Sequence, residues 1–141
     1  TKKWDLAETV SGGPFHEVLN HEILFNCVVA TPKTPVFFQP NFIASKRNLS
    51  VIGDIACDPD SHYNPIPIYS TPTTWSKPGL NITSDPPLAI MAIDNLPSLL
   101  PKESSIDFAE QIFPYLLGFD KKTKEVWERS KEIFKSKVSE V

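Results

Sequence analysis

The sequence predicts an α/β fold with a parallel sheet, closed by two helices at its C-terminal end. Three observations carry that expectation. Short apolar runs rich in Ile, Val and Phe recur between irregular segments, as in strands buried within a parallel sheet. Polar residues follow directly on the ends of those runs, where such sheets bind ligands. Beyond Pro101 the apolar spacing changes to a helical period.

Residues 22–30, EILFNCVVA, form the first strand, expected to be buried on both faces and ended by Thr31-Pro32. QPNFIASK (39–46) reads as a short helix. NLSVIGDIACD (48–58) is a second buried strand, with Gly53 inside it and acids at its C-terminal end. The stretch PDSHYNPIPIYSTPTTWSKPG is irregular, because its prolines exclude a central strand or a helix through most of it. A loop of this length is usually functional or wraps a neighbour. LAIMAI (88–93) is the third strand, followed at once by Asp94.

In ESSIDFAEQIFPYLLGF, Ile106, Ala109, Ile112, Phe113 and Leu116 fall at helical spacing. Ser104 and Asp107 suggest a capping box, Pro114 a kink or an early end, and Gly118 a stop. DKKTKEVWERSKEIFKSKVSEV reads as a terminal amphipathic helix, with Val126, Trp127, Ser130, Ile133, Phe134 and Val138 on one side.

The chain has 141 residues, 40% hydrophobic and 22% charged, with a formal net charge of -3. This mild acidity gives no support to a nucleic-acid or membrane-surface partner, both of which need clustered Lys and Arg. The apolar runs fall well short of the roughly 18 residues of a membrane span. Cys27 and Cys57 lack metal-ligand spacing and read as core thiols of a cytoplasmic protein, so no metal is expected. The opening Thr-Lys-Lys-Trp-Asp looks like the start of a piece that begins inside a domain.

Two constellations bear on chemistry. Asp5, after Trp4 in KWDLAETVSGGPF, has the look of the acid that accepts ribose hydroxyls at a strand end of a dinucleotide-binding fold. On these residues alone, an exposed acid near a chain end explains it more readily. Gly12 and Gly13 make a turn before Pro14, with no helix pattern to turn them into a phosphate cradle. Asp54 and Asp58, four apart, would lie roughly 13 Å from each other on an extended strand, too far to share a proton. They point at a ligand or form a turn before Pro59. His16, His21 and His62 stand in no triad or metal-ligand arrangement, so the chain shows no evident general base.

KWDLAETVSGGPF, FNCVV, GDIACDPDSHYNPIPIY and AIDNLPSLLPKESS together resemble the NAD-dependent, L-lysine-forming saccharopine dehydrogenase family, over roughly the last two-fifths of the enzyme. The resemblance implies two Rossmann-like domains whose cleft oxidatively cleaves saccharopine to lysine and 2-oxoglutarate, with NAD as hydride acceptor. Residues 1–102 would be the C-terminal half of the NAD-binding domain, and residues 103–141 the helices that pack on the N-terminal, catalytic domain. The catalytic lysine and histidine, and the glycine-rich turn, would lie upstream of Thr1.

Position by position, the resemblance implies NAD contacts at Asp5, Thr9, Val29, Ile55, Ile93, Asp94, Asn95 and Leu96. Ala56, Cys57 and Asp58 would face the substrate, with Ala-Cys standing where the family has Ser-Ala. Asp94 is expected to be a buried carboxylate satisfied by the cofactor or by backbone donors. The implied partners are the small-molecule substrate and the N-terminal part of the same enzyme, which would be a cytoplasmic monomer. Two other readings stand beside it. One is the lysine–2-oxoglutarate reductase domain of a bifunctional lysine-degrading enzyme, against which HYNPIPIY argues. The other is a non-catalytic NAD-binding module.

Overall fold

The computed structural model describes residues 1–119 and 124–139. It forms two compact units, Thr1–Leu96 and Pro97–Val141.

The first unit holds a four-stranded sheet of order β1-β2-β4-β3. β1 (Ile23–Asn26), β2 (Val51–Asp54) and β4 (Pro87–Met91) come from the three apolar runs of the sequence. They pair in parallel, with Asn26 level with Asp54 and Gly53 level with Met91. β3 (Leu80–Ser84) pairs antiparallel with β4, with a register shift between Asn81 and Thr83. It was not anticipated, although Ile82 and Thr83 before the Ser-Asp-Pro-Pro turn carry the signal of a hairpin. An antiparallel edge strand on a parallel sheet is common.

Burial follows the two-residue period of the strands and corrects one expectation. Leu24, Asn26, Ile52, Asp54, Leu88 and Ile90 alternate onto one face, which is largely buried. On the other face Ile23, Phe25 and Val51 are 52%, 64% and 40% exposed, so β1 is not buried on both sides. The covering layer on the buried face is built from loops and two 3-10 helices, His16–Asn20 and Pro40–Ala44, the second falling where a short helix was expected. From this layer Val18, Leu19, Phe38, Phe42, Ile66 and Tyr69 pack with Ile52, Leu88 and Ile90. Phe38 meets Phe42 edge-on at 5.4 Å between ring centroids, a favoured aromatic geometry.

The irregular stretch after Asp58 forms no regular strand or helix up to β3. It is tied to the sheet where Thr73 donates its backbone N–H to Ala92 at 2.8 Å and accepts the Ala92 N–H on its hydroxyl at 2.9 Å. Arg47 stitches the covering layer to the β3–β4 hairpin: its guanidinium donates to the carbonyls of Leu49, Pro86 and Pro87.

The short helix α1 (Leu6–Thr9) belongs to the first unit, while α2 (Pro101–Leu117) and α3 (Lys124–Ser139) make up most of the second. The expected capping box at Ser104 is not formed. α2 starts at Pro101, whose missing N–H costs nothing at a first helical position. Ser104 therefore lies inside the helix and donates its hydroxyl to Pro97 O at 3.1 Å, while Asp107 accepts from Gln111 Nε2 at 2.7 Å. Pro114 sits within α2 without ending it, and Gly118 caps the helix, its N–H donating to Pro114 O at 3.1 Å. The ends of the expected terminal helix, residues 120–123 and 140–141, lie outside the described residues.

Candidate functional site at the strand ends

β1 and β2 end level with each other on two buried polar side chains, Asn26 and Asp54. A buried carboxylate must be compensated by hydrogen bonds. Asp54 accepts from Asn26 Nδ2 at 2.8 Å, from the Tyr69 hydroxyl at 2.7 Å and from the Cys57 N–H at 3.2 Å. Asn26 extends the lattice: its Oδ1 accepts the Val28 N–H at 3.3 Å, and its carbonyl takes the N–H groups of Ile55 and Ala56 at 2.9 and 3.3 Å. One buried pair thus sets the course of both strand-to-loop turns, 27–30 and 55–58.

Cys57 closes this network from below. Its φ of 43° lies in the left-handed region, unusual for a residue with a side chain. The thiol turns inward, 9% exposed, and donates to Ala92 O at 3.1 Å, linking the β2 turn to the end of β4. Burial pushes the thiol pKa up, and the charges of Asp94, Asp54 and Asp58 add to the shift. Tyr69 is likewise held protonated well above the ordinary phenol range, first by burial and then by its hydrogen bond to Asp54.

Above the network lies an open cleft of about 310 Å³, lined by Val28, Val29, Ile55, Ala56, Asp58 and Asn64 among others. Val29, Ile55, Ala56 and Asp58 are thus brought together. Val29 is 86% exposed and Ile55 37%, an apolar pair presented toward the opening. The side chain of Cys57 lies beneath the cleft and lines none of it.

The segment after β4 runs beside this region through the Cys57–Ala92 hydrogen bond. Ile93 is buried and bridges to Thr73. Asp94 is exposed, which corrects the expectation of a buried carboxylate. The strand ends at Met91, the chain turns at Asp94–Asn95 with Asn95 at φ 54°, and a 3-10 helix, Leu96–Leu99, follows. A turn residue placed there points outward.

Asp5 and Thr9 are grouped apart from the cleft, on α1. Asp5 is the N-cap of that single turn and no strand end: its carboxylate accepts the Ala7 N–H at 3.2 Å, and Glu8 accepts the Asp5 N–H at 3.0 Å. The Ala7 N–H is the chief cause holding the Asp5 carboxyl below its ordinary range. Thr9 donates its hydroxyl to Asp5 O at 2.9 Å, so the helix turn sets the two side by side. Among the described residues no cluster of His, Cys, Asp and Glu suits a metal ion. Asn26, Tyr69 and Asn64 were not anticipated. Asn26 had a signal, a polar residue closing an apolar run, whereas Tyr69 joins Asp54 only through the fold.

The sheet and the polar strand ends define the class: a portion of a Rossmann-like α/β domain, with its cleft at the C-terminal ends of parallel strands. No family model matches the chain. Individual proteins do. It is 41% identical over 141 residues to saccharopine dehydrogenase [NAD(+), L-lysine-forming] of Neurospora crassa, an alignment covering 96% of this chain and 38% of that protein. The Candida albicans enzyme of the same name is 38% identical, with 97% and 37% covered. That of Schizosaccharomyces pombe is 38% identical, with 99% and 39% covered. The chain belongs to the saccharopine dehydrogenase family and matches a C-terminal portion of its members, spanning under two-fifths of their length.

Proposed function

We propose that the protein to which this chain belongs oxidatively cleaves saccharopine to L-lysine and 2-oxoglutarate, and that this portion helps to bind NAD and position it. The observation that carries the reading is the cleft over the Asn26–Asp54 pair, in a chain whose relatives are named for NAD and for forming lysine.

The residues fit a dinucleotide. Val29 and Ile55 present apolar surface for a ring or ribose face. Bound NAD would supply the hydride acceptor, chemistry that belongs to the cofactor. What the chain does is hold and orient. Asn26 and Asp54 fix the 27–30 and 55–58 turns, Ala56 and Asp58 face the substrate, and Ile93 to Leu96 follow the nicotinamide half. Asp5 and Thr9 take the adenosine ribose. The proton transfers are assigned to residues of the N-terminal part of the enzyme, which is also the surface on which α2 and α3 pack. The enzyme is read as a cytoplasmic monomer.

The name shared by the relatives, L-lysine-forming, favours this reading over a lysine-degrading reductase. The test is turnover by the full-length protein with saccharopine and NAD, followed by NADH absorbance. NADH formation with release of lysine supports the proposal. Binding of NAD without turnover would leave a non-catalytic module.

A further inference from the structure

β3 pairs with β4 only as far as Leu80 level with Ile90, so that ladder stops short of Ala92. Ala92 is fully buried, and its peptide groups must still find partners. Thr73, from the irregular stretch, meets both of them. Its hydroxyl accepts the Ala92 N–H at 2.9 Å, and its own N–H donates to Ala92 O at 2.8 Å. A side-chain oxygen thus stands where a neighbouring strand would present a carbonyl. Ile93, 7% exposed, forms a parallel bridge with Thr73 before the chain turns outward at the exposed Asp94 and Asn95.

The Ala92 carbonyl also takes the Cys57 thiol at 3.1 Å, so two segments hold this residue. The stretch around Thr73 is itself anchored. Thr74 and Lys77 exchange backbone hydrogen bonds at 3.2 and 3.0 Å, closing a tight turn directly after Thr73. On the other side Tyr69 donates to Asp54 at 2.7 Å. An acceptor anchored in this way fixes where residues 93–96 leave the sheet. Without the hydroxyl, the buried Ala92 N–H loses that acceptor, which is costly. The segment then gains by shifting toward water, and a ligand that needs it in place must draw it back.

Resting on the NAD-binding reading above, we infer that Thr73 is a positioning residue for NAD: through Ala92 and Ile93, its hydroxyl holds residues 93–96 in the binding arrangement before the cofactor arrives. The test uses the full-length protein. Thr73→Val keeps the shape and the backbone N–H and removes the hydroxyl. Thr73→Ser keeps the hydroxyl, and Thr73→Cys replaces its oxygen with sulfur, a weak acceptor. NAD is titrated by calorimetry well below the melting temperature of each variant, and the KM for saccharopine is measured at saturating NAD.

The expected result is NAD affinity weakened about tenfold in Thr73→Val, the scale of one lost hydrogen bond. Thr73→Ser should bind NAD as the unmodified protein does, and Thr73→Cys more weakly than Thr73→Ser. The KM for saccharopine should be unchanged, because bound NAD has already restored the segment. A merely structural hydroxyl would lower the melting temperature of Thr73→Val and leave NAD affinity intact, and that result overturns the inference. So does a Thr73→Ser variant as impaired as Thr73→Val, or a raised saccharopine KM with NAD affinity intact. If Thr73→Val does not fold, Thr73→Ser and Thr73→Cys decide, and equal NAD affinity in the two overturns the assignment. If the unmodified protein itself fails to bind NAD, the underlying functional reading falls, and this inference with it.

Discussion

At the scale of single residues, Asp54 is the organising group of the site. Three donors from three segments converge on it. Asp54→Ala strands the Asn26 amide and the Tyr69 hydroxyl in the interior, so it should destabilise the full-length protein by about 3 kcal/mol, as unsatisfied buried groups do; urea unfolding measures it. A loss within the scatter of surface substitutions would show that Asp54 is not paired as described. Titration adds a second expectation. Cys57 and Tyr69 are both raised above their ordinary values. Their contribution to stability is therefore complete below the unfolded-chain pKa of about 8.5 for cysteine and is lost as pH rises through the folded-state values. The unfolding free energy should fall as pH rises above about 9, with a shallower slope in Cys57→Ala. An equal slope in that variant would remove Cys57 from the account.

At the scale of elements, the parallel strands were legible because apolar runs of that length, bounded by Pro and Gly, have few other uses. The polar stretches that follow them, beginning at Cys27, Asp54 and Asp94, suggested a ligand-facing edge for the same reason. What remained hidden depends on contacts between distant segments. Tyr69 reads as a loop tyrosine until the fold sets it against Asp54, and α2 begins at Pro101 because Pro suits the first helical position better than Ser104 suits a cap. Asp94 looked buried because it follows six apolar residues, but the turn at Asn95 carries it outward.

Gly53 shows sequence and element together. A Cβ there would meet the Phe25 ring at 2.5 Å, so the glycine lets Phe25 lie across the neighbouring strand. Gly53→Ala should cost about 1 kcal/mol, at the low end for overpacking, and the Phe25→Ala background should remove that cost. Additive effects in the double-mutant cycle would show that the ring does not rest on Gly53.

At the scale of the whole molecule, apolar surface is left open. Ile23, Phe25 and Val51 stand on one face of the sheet, and Phe108, Phe113, Leu117, Phe134 and Val138 on the two long helices are 66%, 57%, 69%, 67% and 56% exposed. Exposed apolar patches of this kind mark interaction surfaces. They agree with a chain spanning under two-fifths of its relatives' length. The isolated 141 residues should therefore melt broadly and bind hydrophobic dyes. A sharp, cooperative calorimetric transition would contradict that.

The central claim is that NAD is held at the ends of the parallel strands. Hydrogen exchange of the full-length protein with and without NAD tests it most directly. The account predicts slowed exchange in residues 26–30, 54–58 and 93–96 on NAD binding, and little change in α3. NAD binding that leaves those three segments unprotected would contradict it.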